Sequence, residues 1–238
     1  MKFETFRKSV QLSKEDISRE LLAENRDRIK IKKEKVAVRN LVKIMDAALA
    51  ISNVKGFASM SLRDLSSEAG LSMGALYSYI SSKEELLDMI QQQGRSVILR
   101  VMTENLEGVD DPQERLKTAV QVHLYLSEVL QPWFYFSYME TKNLPREAHK
   151  KAIEAELFTE QIFADIIEAG VREGSFRQVD SRLSAALIKA MLQDWYLKRW
   201  KYERRRVTVE QYAASLMDII LSYILVKKKE EEGHGFFR

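Results

Sequence analysis

The segment from Ser61 to Ile80 constrains the fold more than any other part of this 238-residue chain. It reads SLRDLSSEAGLSMGALYSYI, in which two apolar stripes at helical spacing are separated by Gly70. Ser61 and Ser72 each precede a stripe, at the position where a helix N-cap belongs. Gly70 suits the positive φ that a tight turn between helices requires. The pattern predicts a helix-turn-helix, whose second helix enters the major groove of DNA.

Two flanking features strengthen this prediction. Ser82 and Glu85 follow with the spacing of a capping box, which predicts that a long helix begins there. Residues 1–100 carry 18 basic and 13 acidic side chains, a net charge of +5, whereas the remainder carries 20 and 22, a net charge of −2. The densest basic stretch runs from Arg26 to Lys43, just before the motif. For this stretch we favour the interpretation that its side chains contact DNA phosphates over the alternative that it is an ordinary solvent-exposed helix face.

These residues carry a resemblance to a known family. Gly56-Phe57, the segment SLRDLSSEAGLSMGALYSYI and the segment SSKEELL together resemble the N-terminal domain of TetR-type transcriptional regulators. The resemblance covers about residues 37–93, and beyond it the chain agrees only in length and helical pattern. Ile80 departs from the family pattern, in which phenylalanine is more frequent, but both side chains are apolar. The resemblance implies an all-α fold, double-stranded DNA as a partner, a ligand cavity and a twofold dimer.

Composition narrows the function classes. The absence of cysteine excludes disulfides, thiolate metal sites and thiol catalysis. The three histidines do not stand at metal-binding spacing, and neither a glycine-rich phosphate loop nor a Gly-x-Ser-x-Gly motif is present. We therefore expect no enzyme, no catalytic or metal site and no cofactor.

The termini and the apolar runs indicate the compartment. The first residues lack the apolar core of a signal peptide. The longest apolar run, Ile219 to Val226, is too short to span a bilayer. We expect a cytoplasmic protein without a membrane partner.

Apolar periodicity, caps and the few breakers, 9 glycines and 3 prolines, predict an all-α chain of nine helices. The helices are predicted over about residues 37–54, 61–69, 72–80, 82–106, 112–130, 133–139, 146–172, 181–205 and 208–228. The first three form a helix-turn-helix domain over 37–82, and a larger ligand-binding and dimerisation domain follows over 83–228. Residues 1–36 are predicted to be a basic arm, helical in part from Ser13 onward and either mobile or packed on its neighbours. Residues 229–238 are predicted to be a disordered tail.

Nine side chains are candidates for DNA contacts. They are the cap, exposed or basic positions around the two short helices: Ser61, Arg63, Ser72, Met73, Ala75, Tyr77, Tyr79, Lys83 and Arg39. Met73 and Ala75 suit thymine methyl groups. No arginine or asparagine lies on the second helix, so phosphate contacts and DNA shape are expected to outweigh base readout. The resemblance implies phosphate contacts for Tyr77, Tyr79 and Lys83.

Each of these implied phosphate contacts has an alternative. The two tyrosines could pack in the core, but Tyr77 and Tyr79 point about 200° apart on a helix, so at least one must be exposed. We expect both to be exposed. For Lys83 the alternative is an ordinary surface lysine.

Aromatic residues at helical spacing in the C-terminal half form either plain core or the lining of a cavity, and the resemblance implies a cavity there. The candidate lining residues are Trp133, Phe134, Phe136, Phe163, Trp195 and His123. His123 is favoured as a buried core histidine, with a hydrogen bond to the ligand as the alternative. Such a lining suits an elongated apolar effector, namely a fatty acid, a fatty acyl-CoA or a hydrophobic drug. The basic cluster Lys198–Arg206 is expected to be solvated or, alternatively, to bind an anionic head group.

The last two helices carry apolar residues on more than one face, for example Leu183 and Leu187 on the first and Ile219 and Tyr223 on the second. Two apolar faces predict that one packs on a partner chain. The resemblance implies a homodimer through these helices, and a dimer would demand a near-palindromic operator. The leading hypothesis is a ligand-responsive repressor. The alternative is a ligand-independent architectural DNA-binding or protein-interaction module.

Overall fold

A computed structural model describes residues 1–226 except 11 and 145, and except the side chain of residue 143. Within these residues the chain forms twelve α-helices and no β-strand, which confirms the predicted all-α fold. The helices are α1 (Phe3–Ser9), α2 (Lys14–Glu24), α3 (Glu34–Lys55), α4 (Leu62–Glu68), α5 (Met73–Leu76), α6 (Lys83–Leu106), α7 (Pro112–Val129), α8 (Gln131–Glu140), α9 (Arg146–Glu173), α10 (Ser181–Leu197), α11 (Arg199–Arg204) and α12 (Val209–Ile224). Two single-turn 3-10 helices span Phe57–Ser59 and Thr141–Asn143.

The structure has more helices than the nine predicted for two local reasons. The arm contains two helices, α1 and α2, of which only the second was expected. The helix predicted over 181–205 is divided at Lys198, whose φ of −119° and ψ of +37° leave the helical range. The predicted tail, residues 229–238, lies outside the described residues.

Serine, threonine and aspartate caps set the helix starts where the sequence places them. Each cap side chain accepts a backbone N–H in the first turn of its helix: Ser61, Ser72, Ser82, Asp111, Asp180 and Thr208. Between α4 and α5, Gly70 has a φ of +63°, as the tight turn requires. The hydroxyl of Ser66 donates to the Leu71 carbonyl at 2.6 Å, which closes that turn.

Two apolar cores organise the molecule. The N-terminal core joins α2, α3, α4 and α5 to the first half of α6, around Leu41, Ile44, Leu65 and Leu76. The C-terminal core surrounds α7, which packs against α6, α9, α10 and α12 and is buried continuously from Val122 through Ser127. A helix that is buried on every face lies at the centre of its domain. Helix α6 contributes its first half to one core and its second half to the other, so it connects them.

The N-terminal arm is packed, which decides between the two alternatives left by the sequence. Phe6 of α1 is fully buried against α7, with its ring centroid 5.6 Å from that of Tyr125. The Tyr125 hydroxyl donates to the carbonyl of Met1 at 3.0 Å. Helix α2 packs on α3 and α6, and Glu20 forms an ion pair with Arg100 at 2.9 Å. The arm therefore contacts both cores.

Substitution Phe6→Ala tests the docking of the arm. Truncating a buried phenylalanine costs about 3–5 kcal/mol of stabilising free energy. Because α1 is a terminal helix of only seven residues, we expect this loss to detach it from α7 without global unfolding. Limited trypsin digestion followed by mass spectrometry should show earlier cleavage at Arg7 and Lys8. The exposed neighbour Thr5→Ala removes no trypsin site, so it is the control and should digest like the wild type. Unchanged cleavage in Phe6→Ala would contradict the docking.

Candidate functional site

The first candidate surface is formed by α4, α5 and the turn that follows them. Ser61 and Asp64 form a full capping box, with distances of 3.1 and 2.9 Å. The hydrogen bonds from Ser61 and the neighbouring Lys55 hold the pKa of the Asp64 carboxyl at about 2, so it stays ionised as a cap. Ser72 accepts from the Ala75 amide at 3.2 Å, which leaves its hydroxyl proton available to an acceptor outside the protein.

Three of the predicted DNA-contact side chains are exposed and uncommitted. Arg39, Arg63 and Tyr77 lie on the surface and, among the described residues, form no hydrogen bond or ion pair. Met73 and Ala75 of α5 are half-buried, and Ser72 before them is exposed. Together these residues provide cations, hydroxyl donors and small apolar contacts, which are what a DNA-reading surface uses.

The exposure expected for Tyr79 is wrong. Tyr79 is 1% exposed, whereas Tyr77 is 48% exposed. Tyr79 shares the core-facing side of the turn with Leu76 and Ile80, and its hydroxyl accepts from Nδ2 of Asn40 at 2.9 Å. Burial raises the pKa of Tyr79 above its usual range. A phosphate contact by Tyr79 stays a prediction, and its hydroxyl would have to leave Asn40 to make one.

Lys83 is also engaged inside the protein. Its ammonium group donates to the carbonyls of Phe57, Ala58 and Met60 at 3.2, 2.8 and 3.2 Å, and it lies 5.4 Å from the centroid of the Phe57 ring. Three acceptors satisfy the three protons of an ammonium group. Lys83 therefore holds the 3-10 turn onto the start of α6, and its predicted phosphate contact would compete with these bonds.

The basic segment from Arg26 onward, for which the sequence favours contacts to DNA phosphates, lies beside the reading surface. The Lys30 amide donates to the Ser78 carbonyl at 2.9 Å, and Ile29 is buried in the N-terminal core. These two contacts fix the segment at the end of the second short helix. Its exposed cations are Arg26, Arg28, Lys30, Lys32, Lys33 and Lys35. Lysine and arginine side chains in this position can neutralise DNA phosphates.

The second candidate site is a cavity of about 690 Å³ enclosed by α6, α7, α8, α9 and α10. This volume lies within the range of small-molecule sites. Among the predicted residues, His123, Trp133 and Phe134 line it. Several apolar lining residues remain about half exposed, for example Ile153, Leu157 and Phe158 of α9, so the cavity opens to solvent along that helix.

The other three predicted residues pack outside the cavity lining. Phe136 is fully buried in the N-terminal core, edge-on to Phe57 with ring centroids 5.8 Å apart. Phe163 lies behind His123, at 6.2 Å between ring centroids, and Trp195 packs against aromatic rings near α11. Consecutive aromatic residues on a helix face different sides, and only part of each stripe can reach the same cavity.

The lining is more polar than the sequence suggested. It includes Gln91, Arg95, Lys142, His149, Glu156 and Lys189. Burial lowers the pKa of Arg95, against the opposing charge of Asp88. Lys189 is the one charged residue in the run LSAALIKAML. That isolated lysine was the sequence feature that could have predicted a polar cavity lining. The cluster Lys198–Arg206 does not line the cavity, and its Arg199 forms an ion pair with Glu128 at 2.9 Å.

Helix α8 belongs to the cavity on one side and to the N-terminal core on the other. Its cavity-lining residues include Trp133 and Phe134. Phe136 packs in the N-terminal core, and Oε1 of Glu140, two turns after Trp133, accepts from the Phe57 amide at 2.9 Å. The indole N–H of Trp133 donates to the carbonyl of Ile90 in α6 at 3.0 Å. A group that enters the cavity therefore contacts a helix that also touches the helix-turn-helix domain.

Substitution Gly94→Ala tests the seat of α8 on α6. An added Cβ at Gly94 would lie 1.8 Å from Cζ2 of Trp133, inside the indole ring. We expect a loss of about 1–3 kcal/mol of unfolding free energy from overpacking, which exceeds the gain in helix propensity, and a shift in Trp133 fluorescence. Thermal unfolding followed by fluorescence measures both. The control is Gly74→Ala, where a Cβ meets nothing within 4 Å, and a stable, spectrally unchanged Gly94→Ala would contradict the packing.

Comparison with known proteins gives the family. The profile described as "Bacterial regulatory proteins, tetR family" matches residues 44–90, and the one described as "Tetracyclin repressor-like, C-terminal domain" matches residues 109–224. The chain is 26% identical over 182 residues to the HTH-type transcriptional repressor KstR2 of Rhodococcus jostii (strain RHA1), covering 75% of this chain and 87% of KstR2.

Solved structures agree with these matches. The TetR family transcriptional regulator PfmR from Thermus thermophilus has a TM-score of 0.68 at 29% identity, covering 78% of this chain and 99% of PfmR. AibR in complex with isovaleryl coenzyme A and operator DNA has a TM-score of 0.67 at 19% identity, covering 76% of this chain and 97% of AibR. In the part of the chain that the structure describes, no helix is long and apolar enough to cross a membrane.

Proposed function

This chain belongs to the TetR family of bacterial regulatory proteins, and we propose that it is a repressor whose operator is released when an amphipathic acyl ligand enters the cavity. The ligand class is a fatty acid or a fatty acyl-CoA. The KstR2 relative is a repressor, and the AibR structure holds an acyl coenzyme A together with operator DNA. A regulator of this kind acts in the cytoplasm, where its operator lies.

One observation carries the proposal: α8 is a wall of the cavity and also a support of the helix-turn-helix. Phe136 and Glu140 hold the 3-10 turn at Phe57, and Lys83 ties that turn to the start of α6. A ligand that displaces α8 would therefore move the reading surface relative to the C-terminal core. A hundredfold loss of operator affinity needs only about 2.7 kcal/mol of coupling.

DNA binding in this proposal uses the exposed face of α4 and α5 with the basic segment beside it. Arg63, Tyr77 and Arg39 supply phosphate contacts, and Ser72 with Met73 and Ala75 supplies short base contacts. Few of these side chains can bind a base edge in a bidentate manner, so operator choice depends on phosphate spacing and DNA shape as well.

The dimer in this proposal forms through α10 and α12. Leu183, Leu187, Ile219 and Tyr223 are large apolar side chains on these two helices, and each is roughly half exposed. Large apolar side chains left exposed on two helices favour a partner that covers them. A twofold axis there presents two reading surfaces to one near-palindromic operator.

The pair Tyr77→Phe and Arg63→Ala tests the DNA surface. We expect each to weaken operator binding about tenfold in fluorescence anisotropy, because each loses a phosphate contact in both subunits. Arg63→Ala should also reduce the slope of log K against log salt by about 2, roughly 0.9 per phosphate contact. The operator is obtained by in vitro selection from random duplexes.

The control for this surface is Tyr125→Phe, which removes only the hydroxyl that donates to the Met1 carbonyl and is not a candidate for a DNA contact. We expect it to lower stability by about 1 kcal/mol while leaving operator affinity unchanged. Unchanged affinity and salt slope in Tyr77→Phe and Arg63→Ala would contradict this DNA-binding face. Failure of the selection to enrich any sequence would favour an architectural DNA-binding module instead.

Leu187→Asp tests the dimer. A carboxylate in the middle of an apolar interface is costly because it loses its hydration, so we expect size-exclusion chromatography with light scattering to give a dimer for the wild type and a monomer for the variant. The control Val54→Asp changes an exposed residue on α3 and should stay dimeric. A monomeric wild type, or a dimeric Leu187→Asp, would contradict this interface.

A further inference from the structure

A buried polar cluster in the cavity wall defines a second kind of contact for the ligand. Lys189 of α10 is 4% exposed, and its ammonium nitrogen lies 2.9 Å from Oγ1 of Thr159 and 3.4 Å from a carboxylate oxygen of Glu156. Its third neighbour is Nε2 of His123, at 3.3 Å. All four residues line the cavity. A buried charge is tolerated when an opposite charge lies next to it, and Glu156 supplies that opposite charge for Lys189.

The contact with Lys189 assigns the proton position on His123. Burial lowers the pKa of Lys189 and the Glu156 charge opposes that shift; the resulting ammonium group only donates, so we assign Nε2 as the acceptor and place the proton of the neutral ring on Nδ1. Burial, with the Lys189 charge, holds the pKa of His123 well below its usual range, which keeps the ring neutral. Nδ1 is buried and has no hydrogen-bond partner within the described ranges. A buried N–H without an acceptor is destabilising, and because the ring lines the cavity, a small movement of the ring that brings Nδ1 to a ligand oxygen would relieve it.

A second donor group lies on the α6 side of the cavity. Nε2 of Gln91 is buried and also lacks a partner among the described residues, while its Oε1 accepts from Ser137 at 3.2 Å. Arg95, one helical turn further along α6, is half-buried and forms no hydrogen bond or ion pair in that part of the chain. Both residues line the cavity. The polar groups of this wall that lack a hydrogen-bond partner are thus donors. A ligand that carries acceptor oxygens would satisfy them.

We propose that the cavity takes an acyl ligand with two separate oxygen groups, an anionic end bound by Arg95 and Gln91 and a neutral hydroxyl or carbonyl oxygen bound by Nδ1 of His123. This inference rests on the proposed function, which assigns an acyl ligand to the cavity. The unpaired guanidinium of Arg95 suits the anion. The neutral ring of His123, beside a lysine that Glu156 already neutralises, suits an uncharged oxygen better than a second carboxylate.

The test compares two acids that differ by a single oxygen. Isothermal titration calorimetry of the full-length protein uses dodecanoic acid and ω-hydroxydodecanoic acid. We expect the wild type to bind the hydroxy acid about tenfold more tightly, because its distal hydroxyl finds a donor. His123→Phe should reverse the preference, because the hydroxyl then enters an apolar pocket without a partner. A phenylalanine ring fits between Phe134 and Phe163, which already pack around His123 edge-on.

The matched control is His149→Phe, which changes the other histidine of the cavity lining and should keep the wild-type preference. Equal binding of the two acids by the wild type, or the same preference in His123→Phe, would overturn the two-oxygen ligand and leave the acyl-ligand proposal standing. Binding of neither acid, together with no binding of dodecanoyl-CoA, by the wild type would overturn the acyl ligand itself, and this inference with it.

Discussion

The contact of α8 with the 3-10 turn at Phe57 is the interaction on which the arrangement of the two cores depends. Phe136 fills the N-terminal core from outside the helix-turn-helix, and Glu140 accepts the Phe57 amide. One turn before Phe136 on the same helix, Trp133 is wedged against Gly94, where any side chain would collide with its ring. Because interiors are close-packed, a helix that packs against both cores transmits a displacement instead of absorbing it.

The arm adds a constraint that spans the same two cores. Helix α1 docks on α7, α2 docks on α3, and Glu20 pairs with Arg100 of α6. A ligand that shifts the reading surface must therefore work against the arm as well as against α8. In the proposed mechanism, the arm limits how far the two cores can move apart, and its docking energy contributes to the balance between the operator-binding and released forms.

The sequence predicted the features that depend on local chemistry. N-cap serines, Gly70 and the capping boxes placed the helix-turn-helix, because these signals act within one or two turns of the chain. The expectation that Tyr77 and Tyr79 are both exposed is wrong for Tyr79, since its burial depends on the rotation of a short helix against α3. The sequence also could not separate Phe134, which lines the cavity, from Phe136, two residues later, which fills the other core. The polar lining was missed because Arg95 and Lys189 come from distant helices that meet only in the fold.

The coupling between cavity and operator is tested most directly by a closed thermodynamic cycle. The affinity for the selected operator is measured with and without saturating dodecanoyl-CoA, and the affinity for dodecanoyl-CoA is measured with and without saturating operator. If the cavity and the operator are coupled, dodecanoyl-CoA lowers the affinity for the operator, and the operator lowers the affinity for dodecanoyl-CoA, by the same factor, on the order of 5–150-fold. Saturation of the cavity with no change in operator affinity would contradict this coupling.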